Sequence, residues 1–258
     1  MKKFICLFVT VILLFSCFTT FAIGPEDFTA RAAILMEASS GKILFEYNKD
    51  DRLPMASITK LMPLLITMEK LDLGEITLET VVTGSPKAKE AGGSTIFLDV
   101  NEKMSLNDIL KGICIASAND ATIALAETLA GSENDFVSLM NQRAGTLGLT
   151  NTNYVNVTGF DADNHYTSAY DVALLAREIL LNHPEILQYS GIREDWLRGN
   201  RTQLINTNRL LSTYQYTTGL KTGTETNAKY CLVATAKKDN MDLIAVILGA
   251  PDANARFS

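Results

Sequence analysis

Hydrophobic positions along this chain change their period twice. Residues 32–36 (Ala-Ala-Ile-Leu-Met) and 42–47 (Lys-Ile-Leu-Phe-Glu-Tyr) are short apolar-rich runs on either side of Ser39-Ser40-Gly41, and they predict a β-hairpin within residues 29–47. The polar stretch Asn48-Lys49-Asp50-Asp51 then leads through Pro54 into a helical pattern. Pro63 falls inside that pattern. A proline in a helix interior removes one backbone hydrogen bond and costs ~3 kcal/mol, so a kink after the first turn is expected, with burial as compensation.

Helical spacing continues downstream. Ser105 with Asp108, Ser132 with Asp135 and Ser168 with Asp171 are N-terminal capping patterns, the first of them ahead of Ile109, Leu110 and Ile113. A further helix is expected to start near Asn119 or Asp120 and stop by Gly131; Gly148 and Asn182-His183-Pro184 close the last two. Strand pattern returns at residues 230–236 and, beyond a Lys237-Lys238-Asp239-Asn240 turn, at residues 241–249. Strands, then helices, then strands place the chain in the α/β class, of the α+β type. The expected architecture is an antiparallel sheet lobe flanked by helices (residues 27–83 and 203–258), with a mainly helical lobe (residues 84–202) inserted between its halves.

The first residues alter the bulk picture. Lys2 and Lys3 precede the mostly apolar residues 4–18, and Thr20-Phe21-Ala22 offers a small-residue cleavage site, so residues 1–22 read as a secretory signal. The apolar run is shorter than the ~20 residues of a spanning helix. Leu14-Phe15-Ser16-Cys17 loosely resembles a lipoprotein cleavage box, which Phe15 spoils. Cleavage after Ala22 removes two lysines and leaves 21 basic against 29 acidic side chains, a balance that gives no general affinity for nucleic acid. The expected location is exported and extracytoplasmic, with no membrane contact encoded beyond the signal. Cys114 and Cys231 are the cysteines outside the signal. Both lie in apolar runs and read as buried free thiols, with a disulfide as the open alternative. No Cys/His cluster has metal spacing, and neither metal nor cofactor is expected.

Candidate chemistry centres on Ser57-Ile58-Thr59-Lys60. A serine and a lysine three apart on a helix share one face. A desolvated lysine near a second cation can lose its proton and act as base, making Ser57 a nucleophile without histidine. The chain has only His165 and His183, so a Ser-His-Asp triad has little material. Two further elements follow in order: Ser117-Ala118-Asn119 at the end of an apolar run, and Lys221-Thr222-Gly223 before the strand pattern at residues 230–236. The order S-x-x-K, S-x-N, K-T-G is the signature of penicillin-interacting serine enzymes.

On these motifs the chain resembles the D-alanyl-D-alanine carboxypeptidases, the low-molecular-mass penicillin-binding proteins. The likeness extends to residues 53–60, 92–98, 116–121, 164–167, 219–223 and 230–234, and covers essentially everything from about residue 30 onward. It implies a β-lactamase/transpeptidase-like fold with the three motifs meeting in a cleft. It further implies removal of the terminal D-alanine from peptidoglycan pentapeptides ending in D-Ala-D-Ala, and acylation by β-lactam antibiotics. Catalytic roles are implied for Ser57 as nucleophile, Lys60 as base and Ser117 as proton relay to the leaving amine. Substrate-binding roles are implied for Asn119 (amide), Lys221 and Thr222 (carboxylate), Gly223 (clearance beside the strand) and Thr224, whose N–H joins that of Ser57 in an oxyanion site. Arg193, Arg201 and Arg209 read as surface residues, with help to the carboxylate as the alternative.

The chain also departs from the family pattern. Thr224-Glu225 stands where an aromatic or histidine followed by threonine is usual, Lys229 replaces a glycine, and Thr158-Gly159-Phe160 stands where histidine-glycine-leucine is frequent. The sequence stops at Ser258, where the resemblance implies a further helix, so a truncated or minimal member is expected. A class A β-lactamase is the nearest rival, since Glu178-Ile179-Leu180-Leu181-Asn182 matches its E-x-x-L-N by letter; lying in a helical run, the match reads as accidental. A non-catalytic wall-binding relative is the other alternative.

Overall fold

A computed structural model describes residues 29–257; the signal expected at residues 1–22 lies outside them. The predicted hairpin forms from β1 (Ala32–Glu37) and β2 (Ile43–Tyr47). Its partners come from the far end of the chain: β7 (Thr217–Glu225), β8 (Lys229–Lys238) and β9 (Met241–Ala250). Together they make one antiparallel five-stranded sheet in the order β2-β1-β9-β8-β7. Strands β8 and β9 are joined by the Asp239-Asn240 turn, in which Asp239 takes a left-handed conformation. β7 lies at one edge of the sheet, where Asn208 and Arg256 donate to its Gly219 and Gly223 carbonyls.

Between the two halves run the helices α1 (Leu61–Asp72), α2 (Pro86–Lys89), α3 (Leu106–Ala116), α4 (Asn119–Ala130), α5 (Glu133–Thr146) and α6 (Ala169–Asn182). The capping serines act as the sequence predicts. Ser105, Ser132 and Ser168 each accept a hydrogen bond from the backbone N–H three residues on. Gly131 and Gly148 lie at the helix ends in left-handed conformations. α6, within the segment expected as the helical lobe, packs on the sheet against β1 and β9. Two short ribbons complete this region: β3 (Val81–Thr83) with β4 (Lys103–Ser105), and β5 (Glu194–Leu197) with β6 (Thr202–Ile205). A continuous core runs from Ile34 and Met36 of the sheet through Leu61, Met62 and Leu65 of α1 to Ile109, Ile113, Leu125 and Phe136. Among the described residues no helix is long and apolar enough to cross a membrane.

Pro63 is handled differently from the expectation. Residues Ala56–Lys60 form a 3-10 turn, and the α-helix begins only at Leu61. Pro63 is therefore the third residue of the α-helix, in its first turn, where the fixed φ of proline is tolerated. The discontinuity falls before the proline, as a change of helix type.

Ser168 is fully buried while capping α6. Ser168→Ala is expected to lower unfolding stability by about 1–2 kcal/mol, read as a reduced urea midpoint at unchanged slope.

Candidate active site

The 3-10 geometry decides how the first motif works. Side chains three apart eclipse one another in such a turn, and Lys60 Nζ lies 2.7 Å from Ser57 Oγ. The same amine sits 2.6 Å from the carbonyl oxygen of Thr158. Lys60 is completely buried, and burial first, then the neighbouring Lys221 ammonium, push its pKa well below the usual lysine range. The carboxylates of Glu225 and Asp120 pull weakly the other way. Ala56, beside the nucleophile, holds φ +48°, a sparsely populated conformation for a non-glycine residue. Gly159, at φ +92°, packs so closely on this turn that an added Cβ would collide with the Ala56 carbonyl.

Ser117 ends α3 in a left-handed conformation (φ +61°), which turns the chain straight into α4. Asn119 opens α4, and its Nδ2 donates to the carbonyl of Gly92 at 2.7 Å. Asn119 Oδ1 is buried without a protein partner. A buried acceptor left unmade costs about 1–3 kcal/mol, so this oxygen is a natural receptor for a ligand N–H. The next residue, Asp120, was not singled out by the sequence. Its buried carboxylate accepts from the N–H groups of Ile96, Leu98 and Ala121 at 2.8–3.1 Å. Asn119 moors the Gly92–Gly93–Ser94 segment beside the cleft, with its own N–H on Ser94 O at 2.7 Å, and Asp120 moors residues 96–98 that follow.

The third motif enters on the edge strand β7. Lys221 Nζ donates to Ser117 Oγ at 2.8 Å and to Thr222 O at 2.9 Å, joining the second motif to the third. Lys221 is also buried, and burial pushes its pKa down to about 7. Thr222 Oγ1 lies 2.5 Å from Thr207 Oγ1. Gly223 faces the nucleophile turn: an added Cβ would stand 3.0 Å from Ser57 N, Met55 O and Ala56 Cβ. Thr224 follows on the exposed side, so the structure brings the predicted residues of all three motifs to one place.

The arginine in contact with the third motif is Arg256, which is not among the three weighed from the sequence, and Arg209 lies close enough to it for their charges to repel. Arg201 bonds the Arg198 carbonyl, and Arg209 reaches Asn254. Arg256 instead lies along β7, donating to Gly223 O and Thr224 Oγ1 at 3.0 Å. Its guanidinium also stacks over the Tyr230 and Phe257 rings. Nothing in the local sequence marks it, since only the fold returns residue 256 to the third motif. Glu178 is engaged by Arg143 and Asn182 at 2.7 and 3.0 Å. Cys114 and Cys231 are unpaired and buried, with burial pushing their thiols up to about 12 and about 11.

Both histidines are structural in their contacts. His183 Nδ1 pairs with Asp72 at 2.7 Å. His165 is buried, accepts at Nδ1 from the Val155 N–H at 3.0 Å and sits with Nε2 2.8 Å from Thr59 Oγ1. Burial pushes its pKa down to about 4, slightly opposed by Asp161.

The family model for D-alanyl-D-alanine carboxypeptidase, peptidase S11, matches residues 19–252. The D-alanyl-D-alanine carboxypeptidase DacF of Bacillus subtilis is 48% identical over 224 residues, covering 86% of this chain and 57% of that protein. The crystal structure of penicillin binding protein 5 from Haemophilus influenzae superposes with a TM-score of 0.86 at 35% identity, covering 91% of this chain and 69% of that one. Penicillin-binding protein D2 from Listeria monocytogenes, in its ampicillin-bound form, gives a TM-score of 0.81 at 29% identity, covering 89% and 93%. The chain spans about six-tenths of the length of the curated relatives it matches.

Gly159→Ala is expected to be among the most destabilising single substitutions here, by about 3 kcal/mol or more, because strain at positive φ adds to a backbone collision; thermal denaturation checks it. His165 generates a pH dependence. An unfolded-state histidine binds its proton near 6.5 and the native one only near 4, so the unfolded state holds more protons between those values. Stability contributed by neutral His165 is complete above pH 6.5 and lost as pH falls towards 4, by at most about 3 kcal/mol. Urea titrations across that window should show a shallower slope with pH in His165→Gln.

Proposed function

The chain belongs to the D-alanyl-D-alanine carboxypeptidase family, and from that premise we propose that it is a serine-type carboxypeptidase acting on peptides that end in D-Ala-D-Ala. The observation that carries this reading is the buried Lys60 amine, 2.7 Å from Ser57 Oγ and, among the described residues, without a carboxylate in contact. Burial that lowers the pKa of this lysine raises the share of neutral amine able to accept a proton.

In the proposed reaction Ser57 Oγ attacks the carbonyl carbon between the two terminal D-alanines while its proton passes to Lys60 Nζ. The oxyanion that forms is received by the Ser57 and Thr224 N–H groups, each such donor being worth ~3 kcal/mol in the transition state. The C–N bond then breaks, and Ser117, hydrogen-bonded to Lys221, delivers its proton to the departing amine and takes in exchange the one held on Lys60, which returns to the neutral amine. D-Alanine leaves an ester on Ser57. Water, deprotonated by Lys60, hydrolyses that ester, and the serine recovers its proton.

Asn119 Oδ1, free of protein partners, receives the substrate amide N–H. Lys221, Thr222 and the Arg256 guanidinium face the terminal carboxylate; Glu225 at the end of β7 opposes them. A β-lactam enters the same sequence by opening its ring on Ser57, and its leaving nitrogen stays attached, so the ester persists. Glu178 is tied to Arg143, which leaves the β-lactamase reading without its water-activating glutamate. Export by the leader-like residues 1–22 belongs to this proposal, since the substrate is a wall peptide.

Intact mass after incubation with benzylpenicillin tests the reading. One penicilloyl adduct per chain is expected in the wild type and none in Ser57→Ala; a folded wild type that stays unmodified would overturn it. Lys60→Gln should slow acylation about 10²–10⁴-fold, the usual cost of losing a general base. Release of D-alanine from a pentapeptide, absent in Ser57→Ala, separates an enzyme from a wall-binding relative.

A further inference from the structure

His165 stands behind the nucleophile turn in a site where histidine invites an acid–base role, yet both ring nitrogens are already engaged. Val155 N–H can only donate, so Nδ1 is the acceptor and the proton of the neutral ring must sit on Nε2. Nε2–H therefore donates to Thr59 Oγ1, and the Thr59 hydroxyl, its lone pair taken, donates onward to the Ala56 carbonyl at 2.8 Å. Each hydrogen bond forces the direction of the next: Val155 N–H to His165, His165 to Thr59, Thr59 to Ala56 O.

That oxygen belongs to the peptide unit whose N–H is Ser57's. A trans peptide is planar, with its carbonyl and N–H on opposite edges, so holding Ala56 O on one side directs the Ser57 N–H to the other. Ala56 needs such support, because φ +48° is unfavourable for a residue with a Cβ. The support itself is rigid. Ladder bonds between Asn153 and Tyr166 and between Leu53 and Thr167 fix the backbone just after His165, and Asn153 Nδ2 holds the Asn164 carbonyl just before it at 2.6 Å. The segment that supplies the Val155 N–H also supplies Thr158 O to Lys60 and Gly159 against Ala56. Buried Thr59 and His165 thus link the loop that holds the base to the peptide that presents the oxyanion donor.

We infer that His165 is a positioning residue: as a neutral bridge between Val155 and Thr59 it aims the Ser57 N–H and takes no part in proton transfer. The inference deepens the acyl-transfer reading and rests on it. The proton is handled by Lys60, and the imidazole serves as a two-ended hydrogen-bond spacer. A glutamine can reproduce that spacer, with Oε1 accepting from Val155 and Nε2 donating to Thr59; a leucine cannot.

The test measures acylation by benzylpenicillin in timed intact-mass experiments on wild type, His165→Leu, His165→Gln and Thr59→Val, each checked for native circular dichroism. Loss of aim at one oxyanion donor should slow the acylation step at saturating benzylpenicillin about 10–100-fold in His165→Leu, less than the roughly 10²–10³-fold cost of removing such a donor outright. The dissociation constant of the preceding complex should stay within about threefold, because the interaction acts mainly in the transition state. His165→Gln should recover most of the rate and keep the pH profile of the wild type. A folded His165→Leu that acylates at the wild-type rate overturns the inference. So does a folded His165→Gln as slow as the leucine variant, since that assigns the ring a chemical role. If His165→Leu does not fold, Thr59→Val decides in its place, with a slowed acylation step supporting the bridge and an unchanged one overturning it. A wild type that is not acylated is distinct from all of these and removes the underlying reading together with the inference.

Discussion

Two lysines buried in one cleft without a carboxylate in contact set the terms for the rest of this structure. Lys60 and Lys221 are withdrawn from water, and among the described residues their amines meet only neutral oxygens: Ser57 Oγ and Thr158 O for one, Ser117 Oγ and Thr222 O for the other. A full charge in such a place is expensive. The expense is reduced by neutralisation, and each ammonium disfavours the other. What destabilises the charged forms is what makes a lysine usable as a base. The neutral acceptors have to be in place for this to work, and they come from four separate stretches of chain.

Delivering those acceptors explains the unusual backbone around the cleft. Ala56 and Ser117 both adopt left-handed conformations, and each immediately precedes or provides a side chain of the site. Such residues cost of order 1–3 kcal/mol and persist where their surroundings determine them strongly. Gly159 and the Thr59–His165 bridge hold Ala56; the direct passage from α3 into α4 holds Ser117. The cleft carries its own unsatisfied valence as well, in Asn119 Oδ1. Strain, a buried unpaired acceptor and desolvated amines are features a folded chain tolerates at a place where a ligand relieves them.

Arg256 and Glu225 give the carboxylate end of the cleft a mixed character. Arg256 lies over the third motif, donating to Gly223 O and Thr224 Oγ1, while Glu225 at the end of the same strand contributes a negative field felt at Lys60. The strand that carries the departure Thr224-Glu225 thus also receives a cation from 31 positions beyond Glu225, bonded to Gly223 O and Thr224 Oγ1.

Local signals determined a good deal by themselves. The capping serines, the hairpin and the final strands were legible because each depends on residues within a few positions of one another. The three motifs were legible because their residue types and order carry the chemistry. The tertiary structure decided what depends on contacts remote in sequence. It made residues 56–60 a 3-10 turn, so that Ser57 and Lys60 eclipse and Pro63 falls in the first turn of the α-helix. It laid α6 on the sheet, brought Thr158, Gly159 and Arg256 to the cleft, and gave Asp120 the task of mooring residues 96–98. It also turned His165 from a polar residue in a loop into the support of the nucleophile's peptide. Periodicity reports which face of an element is buried; it is silent on which distant backbone oxygen a buried side chain will meet, and at this site those meetings set the pKa of the base and the direction of the donor.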